Sequence, residues 1–126
     1  MKIAIPVKMN KENSAVAPLF GKAKWFAIVE NGQVNTVANP ASGGMAVVEW
    51  LAESNVDTII LQEMGQNPYK KVQSYANIKL YHSGFERILL NDVLEKFEAN
   101  ALTFLDEEAM KKIITHHEVR HPAHTH

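Results

Sequence analysis

"KWFAIVENGQVNTVAN", residues Lys24–Asn39, decides how the rest of the chain folds. Two runs rich in β-branched and aromatic residues flank Asn31-Gly32. An Asn-Gly pair in that setting is the strongest short-range signal for a two-residue hairpin, because both central residues of the turn need positive φ. The two strands are therefore antiparallel. Upstream, "KIAIPV" at Lys2–Val7 is short, apolar and β-rich, as a buried strand should be, and the polar stretch Lys8–Ser14 reads as a loop.

Downstream of the hairpin, helical and strand periods alternate. "MAVVEWLAES" places Val47, Val48, Leu51 and Ala52 at helical spacing, and "VDTIILQ" at Val56–Gln62 is a second buried strand. In "NPYKKVQSYA", Asn67 can cap a helix whose first position is Pro68. "IKLYHS" at Ile78–Ser83 is a third buried strand; Asn91 or Asp92 can cap the helix that carries Val93, Leu94 and Phe97. Asp106 can cap a last helix, "EEAMKKIITHH", with Met110, Ile113, Ile114 and His117 on about one face.

Right-handed crossovers make the strands at Lys2–Val7, Val56–Gln62 and Ile78–His82 parallel neighbours, with the hairpin extending the other edge. The expected fold is a single-domain α/β protein: a mixed five-stranded sheet flanked by helices, in a layout compatible with a ribonuclease H-like motif. Residues 1–102 form the α/β domain, 103–117 an appended helix and 118–126 a His-rich tail. A chain of 126 residues is the size of one ordinary domain.

Composition narrows the function. Hydrophobic residues at 46% and charged residues at 21% fit a soluble globular protein, and no apolar run has the length of a membrane span or a signal peptide's apolar region, so a cytoplasmic location is expected. A formal charge of −1 without a Lys/Arg stripe argues against nucleic acid as a partner. The absence of cysteine excludes disulfides, thiolate catalysis and Cys-anchored metal, leaving His, Met, carboxylates or backbone as ligands.

Four stretches in order carry a resemblance: "MKIAIPV", "APLFGKAKWFAIVENGQV", "ANPASGG" and "LAESNVDTIILQEMG". Together they are similar to the dinitrogenase iron-molybdenum cofactor biosynthesis family, which includes nitrogenase cofactor carriers and the orange protein. Ala17–Ala23, corresponding to a Ser/Ala-x-x-Phe-Gly-x-Ala pattern, is the most specific piece. The resemblance implies a small non-catalytic protein that binds or carries a metal–sulfur cluster, iron–molybdenum or molybdenum–copper, and that meets cluster donor or acceptor proteins. Gln62-Glu63-Met64-Gly65 departs from the family's usual Gly-Gly-x-Gly turn, and the last helix and tail lie beyond the resemblance.

Open α/β sheets bind ligands outside the carboxyl ends of their parallel strands. Those ends deliver Lys8 and Met9, then Glu63 and Met64, then His82 and Ser83. Convergence of Met9, Met64 and His82 would suit a soft ion or a cluster metal. Gly43 and Gly44 leave the start of the first helix open to an anion, with Lys8 and Lys22 adding positive charge. Each residue also has a plainer reading: methionine as core filler, His82 as a hydrogen-bonded strand end, the glycines as a turn, Phe20 and Gly21 as packing, Glu63 as solvated or paired. His82 is the only histidine within residues 1–102, so its loss is expected to cost cluster binding more than the loss of Lys22.

Enzyme chemistry finds no support. The first strand lacks the carboxylates a two-metal nuclease needs, and there is no Gly-x-Ser-x-Gly elbow or Walker loop. The tail histidines His116, His117, His121, His124 and His126 have mixed spacings, which suit loose binding of Ni, Cu or Zn rather than one geometry, and their removal is expected to leave the fold and cluster binding intact. A metal-free interaction or regulatory domain of the same fold is the alternative function.

Overall fold

In the computed structural model, which describes residues 1–120, β1 (Lys2–Val7) runs through the middle of the sheet. On one side it pairs antiparallel with β2 (Trp25–Glu30), which returns through Asn31 and Gly32, at φ 53° and 77°, into β3 (Gln33–Ala38). Pairing of Glu30 with Gln33 leaves a two-residue loop, the hairpin that the Asn-Gly pair dictates. On the other side β1 pairs parallel with β4 (Thr58–Leu61), and β4 with β5 (Lys79–His82). The parallel trio and the hairpin edge are as expected.

The strand count is corrected from five to six among the described residues: β6 (Thr103–Phe104) adds antiparallel to β5, giving the order β3-β2-β1-β4-β5-β6. Two residues are too few to show a period, so β6 leaves no pattern in the sequence. Helices α1 (Gly44–Glu53), α2 (Gln66–Gln73), α3 (Leu90–Glu98) and α4 (Glu107–Arg120) complete this open mixed α/β domain.

Two helix starts differ from expectation. α2 begins at Gln66 behind Gly65, so Pro68 is its third residue; it still sits in the first turn, where a missing N–H breaks no helical bond. α3 begins at Leu90, and its Asn91 N–H is satisfied from outside by the side chain of Asn13 at 2.7 Å. The ends of α1 and α3 share one device. Asn55 and Asn100 take φ of 67° and 58°, and the next residues, Val56 and Ala101, donate back to Leu51 and Lys96, as in a Schellman motif. Asp106 caps α4 as expected, accepting from the Ala109 N–H at 2.8 Å.

One core cluster unites Phe20, Phe26, Val47, Leu51, Leu61 and Met64, with Phe26 packed edge-on between Phe20 and Trp50 at 5.7 and 5.6 Å. α4 joins this cluster through Met110 and Ile113 and continues past His117 to Arg120. Ile3, Ile5, Val7 and Val93 build a second cluster under α3.

Packing is tight between the helix starts. A Cβ on Gly44 would stand 2.3 Å from Cγ of Pro68, and one on Gly21 would stand 3.1 Å from the Gly44 backbone. Alanine in place of glycine inside a helix gains about 1 kcal/mol, but forcing a methyl into a filled space costs typically about 1–3 kcal/mol. The proline ring cannot swing aside. Gly44→Ala is therefore expected to lower stability in urea unfolding by about 1–2 kcal/mol, and the added change Pro68→Ala is expected to recover part of that loss. An unchanged or raised stability for Gly44→Ala would contradict the packing described.

Candidate functional site

After β1 a loop over residues 8–14 returns the chain to the sheet. Val16 pairs antiparallel with Val7, the Ala17 N–H donates to the Pro6 carbonyl at 2.8 Å, and Leu19 forms a parallel bridge with Glu63. The segment Ala15–Leu19 is thus wedged between the carboxyl ends of β1 and β4. The β1–β4 ladder covers only Ile3 and Ala4, so Pro6 interrupts no pairing on that side.

This wedge positions Phe20–Lys22, a short 3-10 turn, beside the start of α1. Phe20 is buried, and Gly21 lies on the Gly44 backbone. Asn39 ties the hairpin exit to the same turn: its side-chain amide donates to the Ala23 carbonyl, and its side-chain oxygen accepts from Ala41, both at 2.9 Å. Gly43 then takes φ 89°, a conformation that favours glycine, and leads into α1.

A cleft of about 410 Å³ opens where these pieces meet. Lys22 lies on one side, Gly43 and Gly44 at the start of α1, Met64 beneath, and Gln66 and Asn67 at the start of α2. Neither helix carries a side-chain cap. Two helix starts therefore face one cleft with their first N–H groups and positive dipole ends, beside a lysine. The helix starts and Lys22 favour negative charge there, and the acidic residues Glu63 and Glu118, which also line the cleft, oppose it.

The structure brings four of the expected site residues, Lys22, Gly43, Gly44 and Met64, into this cleft and leaves three outside its lining. Lys8 is exposed. Met9 is 54% exposed, and its N–H donates to Ser14 Oγ at 3.0 Å. The His82 ring bonds through Nε2 to the Gln62 carbonyl at 3.0 Å and packs edge-on against Phe85 at 4.6 Å; Phe85 in turn stacks on His116 at 3.9 Å. Met64 is 1% exposed, so one residue serves as both core filler and cleft floor. Among the described residues, no group of three or more His, Asp or Glu is arranged to hold a metal ion. His121, His124 and His126 lie outside the described residues.

Sequence reasoning placed Glu63 at this strand end as solvated or paired, and missed its burial and its partners. Glu63 is 0% exposed, and α4 meets it with three groups: Arg120 Nη1 at 3.0 Å, His117 Nδ1 at 3.3 Å and His116 Nε2 at 3.9 Å. The start of the His-rich stretch is thus part of the folded domain and does not behave as a peripheral tail. A lone carboxylate ending the apolar run "VDTIILQ" was the available signal, but nothing local names a partner 57 residues away.

The folded domain resolves into a class at this point: an open mixed α/β sheet whose parallel-strand ends, closed by a wedged Ala-Pro-Leu-Phe-Gly loop, carry an anion-ready cleft. Residues 1–100 match the family described as dinitrogenase iron-molybdenum cofactor, and the chain belongs to that family. Its fold is similar to the apo form of the orange protein from Desulfovibrio gigas: TM-score 0.73 and 20% identity over 82% of this chain and 92% of that one. It is also similar to a NifB-like protein of the DUF35 family from Thermotoga, with TM-score 0.66 and 27% identity over 84% and 97% of the two chains. A Methanocaldococcus jannaschii protein provisionally assigned as a dinitrogenase aligns with TM-score 0.62 and 21% identity over 84% and 95%. No curated protein matches the chain. No helix among the described residues is long and apolar enough to cross a membrane.

Burial of His82 has a titration consequence. Desolvation pushes its pKa below the ordinary 6.5, the Gln62 carbonyl opposes that shift, and the nearby His116 adds to it. Between the folded and unfolded values the unfolded chain binds the proton more readily, so the contribution of His82 to stability is present above about pH 6.5 and is lost as pH falls through its folded pKa. An NMR titration of the His82 imidazole is expected to give a midpoint below 6.5, and a midpoint at or above that value would contradict the dominance of burial.

Proposed function

We propose that this protein binds and carries an anionic metal–sulfur cluster, of the iron–molybdenum or molybdenum–copper type, as cargo passed between donor and acceptor proteins in the cytoplasm, without catalysing a reaction on it. The observation that carries the reading is the cleft in which the uncapped starts of α1 and α2 and Lys22 face one another. Membership of the iron-molybdenum cofactor family supports the class of cargo.

The donor set decides the manner of holding. With no cysteine and no group of three or more His, Asp or Glu arranged to hold a metal ion among the described residues, the protein offers the cluster hydrogen bonds and positive charge. Backbone N–H groups donate to sulfide or oxo ligands on the cluster surface, Lys22 offsets its charge, and the buried Met64 presents an apolar floor. Such a cluster arrives and leaves whole, because no covalent ligand need be exchanged. His121, His124 and His126 remain candidate sites for Ni, Cu or Zn.

Anaerobic isolation from the native host, followed by metal and sulfide analysis and a visible spectrum, tests the proposal. Metal and sulfide together in fixed ratio are expected, and colourless protein without either would leave the metal-free interaction domain as the better reading. With tetrathiomolybdate as probe, Lys22→Glu is expected to weaken binding by about tenfold or more, and raising the salt concentration is expected to weaken wild-type binding as well. His82→Ala is expected to cost less than Lys22→Glu, since His82 lies outside the cleft lining; a larger loss on removing His82 would move the site toward β5.

A further inference from the structure

The two edges of the sheet are built differently. β6, at one edge, is two residues long and offers a neighbour almost nothing to pair with. β3, at the other, is six residues long, and no other described strand pairs with its outer side. Its sequence, Gln33-Val34-Asn35-Thr36-Val37-Ala38, contains no charge and no proline. Its ladder with β2 runs without a bulge from Trp25 and Ala38 to Glu30 and Gln33. Charged residues, proline, bulges and short length are the devices that keep an edge from pairing with another chain. β3 has none of them.

The hydrogen-bond parity of the hairpin fixes which groups that edge offers. The Asn39 N–H donates to the Lys24 carbonyl at 2.9 Å, so Asn39, and with it Val37, Asn35 and Gln33, turn their backbone groups toward β2. Val34, Thr36 and Ala38 therefore turn theirs outward, and those three positions are symmetric about Thr36. A second β3 laid antiparallel with Thr36 opposite Thr36 sets Val34 against Ala38, and every outward N–H and C=O of the three then meets a partner. The overlap is flush at both ends: the Asn31-Gly32 turn closes one, and Pro40, which has no N–H, closes the other.

The same pairing covers exposed apolar surface. Val34 is 45% exposed and, through its pairing with Val29, lies on the face of the sheet that carries Trp25, Ala27 and Val29. The second copy places Ala38 directly opposite it and Thr36 on the diagonal. No like charges oppose each other along the seam, because the strand carries none.

We propose that β3 pairs with β3 of a second copy of this chain, antiparallel about a twofold axis at Thr36, joining two six-stranded sheets into one. β3 runs parallel to β1, since β2 is antiparallel to both. The antiparallel seam therefore points the carboxyl ends of the two parallel trios in opposite directions. No residue of β3 lines the cleft, so the pairing is independent of the anion-cleft reading. One short strand from each copy makes a small interface, and the association is accordingly weak and concentration-dependent.

Sedimentation equilibrium of the full chain from micromolar to millimolar concentration tests the proposal, with hydrogen exchange measured at both ends of the range. Wild type is expected to pass from monomer to dimer, and the amides of Val34, Thr36 and Ala38 to gain protection as it does. Thr36→Lys, which sets two like charges against each other on the axis, is expected to weaken association by about tenfold or more. Thr36→Pro removes an N–H that the β2 ladder does not use, and is expected to abolish association while circular dichroism shows the fold intact. Because the chain has no cysteine, single cysteine variants report the register. Opposed Cα atoms in such a pair stand about 5.5 Å apart, within disulfide reach. Thr36→Cys is therefore expected to crosslink to itself faster than Val34→Cys, which faces Ala38. A monomer throughout the range, a dimer whose Val34, Thr36 and Ala38 amides stay unprotected, undiminished association in Thr36→Lys, or crosslinking no faster through Thr36→Cys than through Val34→Cys overturns the proposal.

Discussion

Three chain segments begin at one point where no side chain fits. The turn after β1 sets Gly21 against the backbone of Gly44, and Gly44 starts α1 against the ring of Pro68 in the first turn of α2. Close approach of backbone to backbone and of backbone to a rigid ring brings two helix starts to one cleft, and a single methyl in that stack separates them. The contacts around it reinforce the same geometry. Asn39 holds the hairpin exit to the 3-10 turn, and Glu49 of α1 pairs with Lys71 of α2 at 3.0 Å. That surface pair contributes little by itself; it depends on the helix arrangement that the glycines permit.

The electrostatics of the site depend on that geometry. Helix starts and Lys22 supply positive potential that falls away within about one turn and one Debye length, so they act together only because the glycine stack keeps them within the same cleft. Glu63 works against them from the end of β4. A carboxylate with no exposure is tolerated only with partners of opposite charge and hydrogen bonds. Arg120, His117 and His116 of α4 are among those partners, so the last helix reaches the cleft as well as the core.

Much of this was legible from local pattern. The Asn31-Gly32 hairpin, the three apolar strands and the helical spacing of Val47, Val48 and Leu51 specify the parallel trio and its antiparallel edge, because each element carries its own period. Gly43, Gly44 and Met64 were accessible for the same reason, as residues at a helix start and a strand end, and Lys22 lies in the Ala17–Ala23 segment that carries the resemblance. What escaped is non-local. β6 is too short for a period, and its existence depends on Tyr81 and His82 being there to pair with. Pro68 as the ring over Gly44, and Arg120 as the partner of Glu63, are set by packing between segments far apart in sequence. The histidine-rich end was legible only in part. Composition there suggests loose metal binding, and His116 and His117 lie on a helix that Met110 and Ile113 anchor in the core.

The central claim is that the cleft between the starts of α1 and α2 is where an anionic metal–sulfur species sits. Backbone amide NMR of the uniformly 15N-labelled full chain during titration with tetrathiomolybdate tests it most directly. Shifts concentrated on the amides of Lys22, Gly43, Gly44, Gly65, Gln66 and Asn67, saturating together, are the predicted result. Shifts confined to β5 and the histidines of α4, with the amides at the two helix starts unmoved, would contradict it.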